Sequence, residues 1–135
     1  MAKPRPIVDV HNRPYFEAAA QGVLRIQRCQ ACERNIFFPR VACPSCLGPL
    51  EWRDASGRGS VYSFAVIHVP HDAAFLPEVP MIMAAIKLEE GPVVISELRG
   101  ARSSDVVIGM PVVVEFTLLD AELTLPTWRL APRPS

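Results

Sequence analysis

Every cysteine in the 135-residue chain falls within one short run, CQACERNIFFPRVACPSC, from Cys29 to Cys46. The pattern is two C-x-x-C pairs ten residues apart: Cys29 with Cys32, then Cys43 with Cys46. Two residues between cysteines let a tight turn aim both sulfurs at one point. Two such turns on facing hairpin tips supply the four thiolates that a tetrahedral zinc takes. Pro44, inside the second pair, presets the φ angle of its turn. A thioredoxin-like redox pair would account for one C-x-x-C but not two, and would need a βαβ setting that this sequence does not offer. Iron in a rubredoxin-like site uses the same four ligands, so the ligand set leaves the two metals open, with zinc the expectation. One metal per chain is expected, in a closed site: four protein ligands leave no position for a substrate. No catalytic residue is assigned.

The other residues that could do chemistry read more plainly. His71-Asp72 could be drawn as an orienting pair for acid–base work, but no matching nucleophile stands nearby, and His11 and His68 are isolated. Tyr62 and Phe64 alternate on one predicted strand and could stack bases. Their phase with Val66 favours barrel core instead. Phe37 and Phe38 are adjacent, so on an extended segment their rings point to opposite sides. One is expected to pack on Tyr15-Phe16. The other then faces outward beside Pro39 and Arg40, as a contact for another protein or an apolar ligand. The alternative is that both pack against the neighbouring barrel. The connection His71 to Pro80, with Phe75 and Leu76, is expected to be mobile in the isolated chain and to order against a partner or an acyl chain.

These residues need elements to hold them. Asn12 to Gln21 reads as a helix, with Pro14 in its first turn and Gly22 as its stop. Val23 to Arg28 reads as a short strand leading into the first cysteine pair, and the cysteine segment ends near Gly48-Pro49. The remainder is strand and turn: Ser60–His68, Met81–Leu88, Val93–Leu98, Val112–Leu118 and Leu123–Leu130, with a hairpin signal at Glu89-Glu90-Gly91-Pro92. Five short strands suggest a small barrel or sandwich. The expected organisation is a helix and lead-in strand over residues 1–28, the cysteine unit over 29–48, and a β domain over 49–135. The proline-rich ends, with Pro4, Pro6, Pro132 and Pro134, read as extended tails.

Half of the residues are apolar, enough for a core without staples, and 14 Lys and Arg balance 14 Asp and Glu. A zero balance gives no electrostatic reason to expect a nucleic acid or an anionic membrane as partner. No leader with an apolar core is visible at the start, and no apolar run is long enough to span a bilayer. The expected location is therefore the cytoplasm, where clustered cysteines favour metal over disulfide.

Taken in order, the chain resembles the zinc-ribbon/OB-fold family of accessory proteins for thiolases and related acyl-CoA enzymes. The resemblance rests on Pro14-Tyr15-Phe16-Glu17-Ala18-Ala19, on the cysteine pairs with Phe38-Pro39-Arg40, on Gly57-Arg58-Gly59-Ser60-Val61-Tyr62-Ser63-Phe64, on Ile108-Gly109-Met110-Pro111-Val112, and on Leu125-Pro126-Thr127-Trp128-Arg129. It departs at Glu33 and Leu47, where glycine often comes after each cysteine pair. It implies a mostly β architecture: N-terminal helix, rubredoxin-like zinc ribbon, then a five-stranded OB-fold barrel. It also implies a non-catalytic subunit that supports a thiolase, a thiolase-fold aldolase, a hydroxymethylglutaryl-CoA synthase or a hydratase, and that lines the partner's acyl-CoA channel. The alternatives are a nucleic-acid-binding ribbon and barrel, and a stand-alone acyl-CoA-binding protein.

Overall fold

The computed structural model describes residues 6–132, so Pro4 and Pro134 of the expected tails lie outside the described residues. The chain runs α1 (Arg13–Ala20), β1 (Arg25–Cys29), β2 (Asn35–Ile36), β3 (Leu50–Asp54), β4 (Arg58–Ile67), β5 (Met81–Leu88), β6 (Val93–Leu98), β7 (Pro111–Leu118) and β8 (Thr124–Leu130). Short 3-10 turns lie at Ala73–Glu78 and Ser103–Asp105. It is the mostly β architecture expected: a helix, a cysteine ribbon and a closed five-strand barrel.

α1 starts with Pro14 in its first turn, where a missing N–H costs nothing. It ends where Gly22 turns to φ 78°. The Val23 N–H reaches Ala18 O at 2.9 Å and the Gly22 N–H reaches Ala19 O at 3.0 Å, the paired closure that a glycine after a helix permits. The helix buries Ala18 and Ala19, and the turn hands the chain directly to β1.

β1 is the centre of a three-stranded antiparallel sheet, β2-β1-β3. The sequence marked no strand between Gly48-Pro49 and Ser60, yet β3 pairs with β1 over five residues, from Cys29↔Leu50 to Arg25↔Asp54. The ribbon sheet therefore continues past the cysteines to Asp54.

The five predicted strands close as β4-β5-β6-β8-β7. Gly59 lies where β4 crosses β5: a Cβ there would stand 2.6 Å from Lys87 O, so no larger residue fits without moving backbone. Inside lie Trp128, Ile86, Val61 and Val112, and the same cluster takes in Leu24 and Ile26 from the ribbon side. Helix, lead-in strand and barrel thus share one core, while Cys29, Ile36 and Cys43 form a second, smaller cluster at the cysteine end of the ribbon. Polar bonds tie the junction. Asn35 Nδ2 donates to Glu90 O at 3.0 Å, the Ser56 N–H to Glu90 Oε2 at 2.8 Å, and the Ala55 N–H to Leu24 O at 2.8 Å.

One core assignment fails. The register slips between Val61 and Ser63, so Tyr62 is the extra residue of a bulge and is 60% exposed, whereas Phe64 packs on the core. An inserted residue breaks the period of two, and so Tyr62 and Phe64 do not share a face. Among the described residues no helix is long and apolar enough to cross a membrane.

Candidate metal centre and adjoining groove

The two cysteine turns are built alike. In the first, the Cys29 N–H donates to Arg34 O at 2.9 Å and the Glu33 N–H to Cys29 O at 3.0 Å. In the second, the Cys43 N–H donates to Gly48 O at 3.0 Å and the Leu47 N–H to Cys43 O at 2.9 Å. Residue four past each leading cysteine takes the left-handed conformation, Glu33 at φ 63° and Leu47 at φ 62°. These are the two positions where the sequence carries no glycine, and the turn forces the conformation regardless. The Arg28 guanidinium lies 3.5 Å from the Glu33 carboxylate, on the surface.

All four sulfurs lie within 4.8 Å of one another. Cys29 Sγ is 3.5 Å from Cys46 Sγ, and Cys32 Sγ is 3.7 Å from Cys43 Sγ. A disulfide would need about 2.05 Å. Thiolates at about 2.3 Å around a tetrahedral metal would lie about 3.8 Å apart. The separations match the edges of a metal tetrahedron and exclude both bridges. Cys29 and Cys43 are fully buried, Cys32 and Cys46 exposed, so the site stands at the rim of the ribbon sheet.

The electrostatics favour a cation. The Cys32 N–H, 3.4 Å from Cys29 Sγ, holds the Cys29 thiol down at about 6, with burial opposing. The Cys46 N–H does the same to Cys43, again against burial. On Cys46 the Gly48 N–H also favours the thiolate, but the neighbouring sulfurs and burial together outweigh it and push the thiol up to about 12. Four sulfurs this close cannot all ionise without a counter-charge, and a divalent ion supplies it. Gly48 seals the cage. A Cβ there would lie 3.0 Å from Cys29 Sγ and 3.2 Å from Cys46 Sγ.

The run between the cysteine pairs forms a ledge against the barrel. Phe37 packs inward, its ring centre 5.6 Å from that of Tyr15 in an edge-on arrangement, while Phe38 leaves 58% of its surface exposed. The two rings do not point to opposite sides as expected: their centres lie 4.9 Å apart with the planes tilted by 36°, so they stack together, Phe37 as the inner ring and Phe38 as the outer. Burial raises the Tyr15 hydroxyl well above its usual range, so the ring stays neutral. Pro39 is half-buried and Arg40 exposed. Gln27 pins this corner: its Oε1 accepts the Arg40 N–H at 2.7 Å and its Nε2 donates to Arg40 O at 3.0 Å. Sequence reasoning passed over Gln27, whose signal is only a polar residue between Ile26 and Arg28.

Two apolar cavities adjoin the ledge. One, ≈ 380 Å³, lies between Tyr15, Phe37, Phe38 and the barrel wall at Ile95. The other, ≈ 350 Å³, is lined by Phe75, His71, Ile67 and Met83. Both share Ser96, Leu125 and Pro126, so Phe38 and Phe75 stand at opposite ends of one groove. Phe75 sits on a 3-10 turn whose start is capped by Asp72, its Oδ1 accepting the Ala74 N–H at 2.8 Å. Asp72 therefore serves the turn rather than orienting His71. The connection expected to be mobile holds this capped turn, with Phe75 half-buried.

Comparison with known proteins gives two matching family models. One is described as the ChsH2 rubredoxin-like zinc ribbon domain, over residues 16–52, and the other as the ChsH2 C-terminal OB-fold domain, over residues 52–117. A probable enoyl-CoA hydratase alpha subunit of Thermomonospora curvata is 42% identical over 131 residues, covering 96% of this chain and 40% of that protein. The chain thus spans about two fifths of that relative's length. A DUF35 domain-containing scaffold protein of Methanocaldococcus jannaschii is 37% identical over 92 residues, 66% of this chain and 64% of that protein. Among solved structures, a chain of the Ltp2-ChsH2(DUF35) aldolase superposes with a TM-score of 0.83 at 40% identity, covering 93% of this chain and 98% of that one. With the ribbon match beside the sulfur geometry, the metal is one structural zinc, held by the four clustered cysteines.

Proposed function

This chain belongs to the DUF35 family of ChsH2-type zinc-ribbon and OB-fold proteins, and from that premise we propose that it is the non-catalytic accessory subunit of a thiolase-fold enzyme, a thiolase or retro-aldolase, acting on acyl-CoA substrates. The observation that carries the reading is the pairing of a closed four-thiolate site with an exposed aromatic ledge. A closed zinc site does no chemistry of its own, and it fixes the shape around it. The ledge at Phe37, Phe38, Pro39 and Arg40, with Phe75 across the groove, is where the partner or its acyl chain would rest. An exposed aromatic beside an arginine has the composition of an interface anchor.

The likeness to a chain of an aldolase supports the thiolase-fold partner. A hydratase partner is the second reading, supported by the relative named as a hydratase alpha subunit. Zero net charge lends nothing to a nucleic-acid module. The test is to tag the chain in its native host, identify the subunit that co-purifies, and assay that subunit with and without this chain. The expected result is an acyl-CoA enzyme that loses most of its activity or solubility alone. Full activity of the partner alone, or thioester turnover by this chain alone, would overturn the reading.

A further inference from the structure

β6 has an open edge. It pairs with β5 along its whole length, from Lys87↔Val93 to Ile82↔Leu98, but meets β8 only at Leu98↔Trp128. Two bonds fix which way its peptide groups face. The Leu88 N–H donates to Pro92 O at 2.9 Å across the hairpin, and on the far side the Arg99 N–H donates to Trp128 O at 2.7 Å. The N–H and C=O of one strand residue point the same way and alternate along the chain. Those of Val94 and Ser96 therefore face β5, while those of Val93 and Ile95 face the seam. β8 offers little there, because Pro126 has no N–H and its carbonyl accepts from Ser96 Oγ at 3.2 Å. Among the described residues, the seam-facing groups of Val93 and Ile95 have no ladder partner.

The face beside this edge is apolar where a barrel exterior should be wet. On β5, Ile82, Ala84 and Ile86 are buried inward, yet the outward positions are Met81, Met83 and Ala85, all half-buried. Ile95, also outward, is 58% exposed. A strand apolar on both faces belongs between two layers, and among the described residues the outer face of β5 is covered only in part, by the turn that carries Phe75.

The peptide groups decide the occupant. A hydrocarbon chain would satisfy Met83 and Ile95 but leave the Val93 and Ile95 N–H and C=O groups facing apolar material unpaired, which is costly. A free extended segment fits both requirements. We propose that the edge of β6 at Val93–Ile95 receives an extended segment of the partner subunit as an added strand, whose alternate side chains enter the two cavities on either side of Ser96 and Pro126. This rests on the accessory-subunit reading and adds the mode of docking.

Ile95→Pro is the discriminating change. It removes an N–H that β5 does not use, so the β5–β6 ladder stays intact, as proline at a strand edge allows. With the co-purifying subunit as probe, Ile95→Pro should weaken binding at least tenfold more than Ile95→Ala, with zinc content unchanged. In the wild-type chain, amide exchange at Val93 and Ile95 should slow at least tenfold when that subunit is added, which keeps the test decisive if the proline variant does not fold. Equal losses in the two variants without slowed exchange would overturn strand addition. Slowing by acetyl-CoA alone, or by raising the concentration of this chain alone, would overturn it too, assigning the edge to a small ligand or a second copy. A co-purifying subunit that is not an acyl-CoA enzyme would sink the accessory-subunit reading, while the exchange measurement would still judge strand addition.

Discussion

Gly48→Ala should weaken zinc binding without touching a ligand. The added methyl carbon would sit 2.9 Å from Ala31 Cβ, 3.0 Å from Cys29 Sγ and 3.2 Å from Cys46 Sγ. Ordinary contacts between carbons fall at about 3.5–4.0 Å. The methyl must therefore drive its neighbours back by roughly 0.5–1 Å, while a metal site tolerates only about 0.2 Å in its bonds. Ala31 and Cys29 belong to one cysteine turn and Cys46 to the other, so the displacement opens the tetrahedron between them. The φ of Gly48 lies outside the left-handed region, and alanine there brings no backbone penalty of its own. Overpacking of this kind costs about 1–3 kcal/mol, which raises the zinc dissociation constant roughly 5- to 150-fold. Competition with a chromophoric chelator at fixed pH measures it on the full chain. Adding Ala31→Gly removes the shortest contact and should recover part of the loss, leaving the two sulfur contacts. An affinity within twofold of wild type would refute the steric reasoning.

The remaining predictions concern protons, the ledge and the turns. Zinc affinity should rise with pH from 6 to 9, because Cys46, pushed up to about 12, is protonated in the metal-free chain and must release its proton to bind. Cys29, held at about 6, adds further loss as pH falls through that value, and a flat profile by chelator titration would contradict both. Phe37→Ala should cost about 1–3 kcal/mol of stability by denaturant unfolding, since its half-buried ring leaves a void against Tyr15. Phe38→Ala should change stability by about 0.5 kcal/mol or less, yet weaken partner binding by about 1–3 kcal/mol in titration calorimetry. Leu47→Gly should raise the thermal midpoint, relieving about 1 kcal/mol of left-handed strain at an exposed site, and a lowered midpoint would count against that strain.

How much the sequence disclosed depends on how local each feature is. The helix, the metal ligands and five barrel strands were all legible, because each is written in a contiguous run: Pro14 before a periodic stretch and Gly22 after it, the C-x-x-C spacing, and β-rich runs bounded by Gly and Pro. β3 was missed because Leu50–Asp54 owes its extended state to pairing with a strand more than twenty residues earlier, not to its own pattern. β2, two residues long, has no pattern to read. Tyr62 was misplaced because a bulge leaves no mark on the composition around it. The groove was invisible for a stronger reason: Tyr15, Phe38, Ser96 and Pro126 come from four separate segments and meet only after folding.

The position of the zinc relative to the ledge gives the metal a purpose beyond folding. Phe37 to Arg40 lie in the ten-residue run between Cys32 and Cys43, so both ends of that run are anchored to the ion. Its middle is fixed twice more, by Phe37 on Tyr15 and by Gln27 on the Arg40 backbone. A free loop of this length would lose ordering entropy on docking, about 1–2 kcal/mol for each residue fixed. With four anchors in place, most of that cost is met when the chain folds and binds zinc, before any partner arrives. Phe38 is then held exposed at a lower ordering cost than a loop without those anchors would carry. On the accessory-subunit reading, the metal's contribution to docking is preorganisation of an apolar surface, and a site with no room for a substrate would still govern what the protein binds.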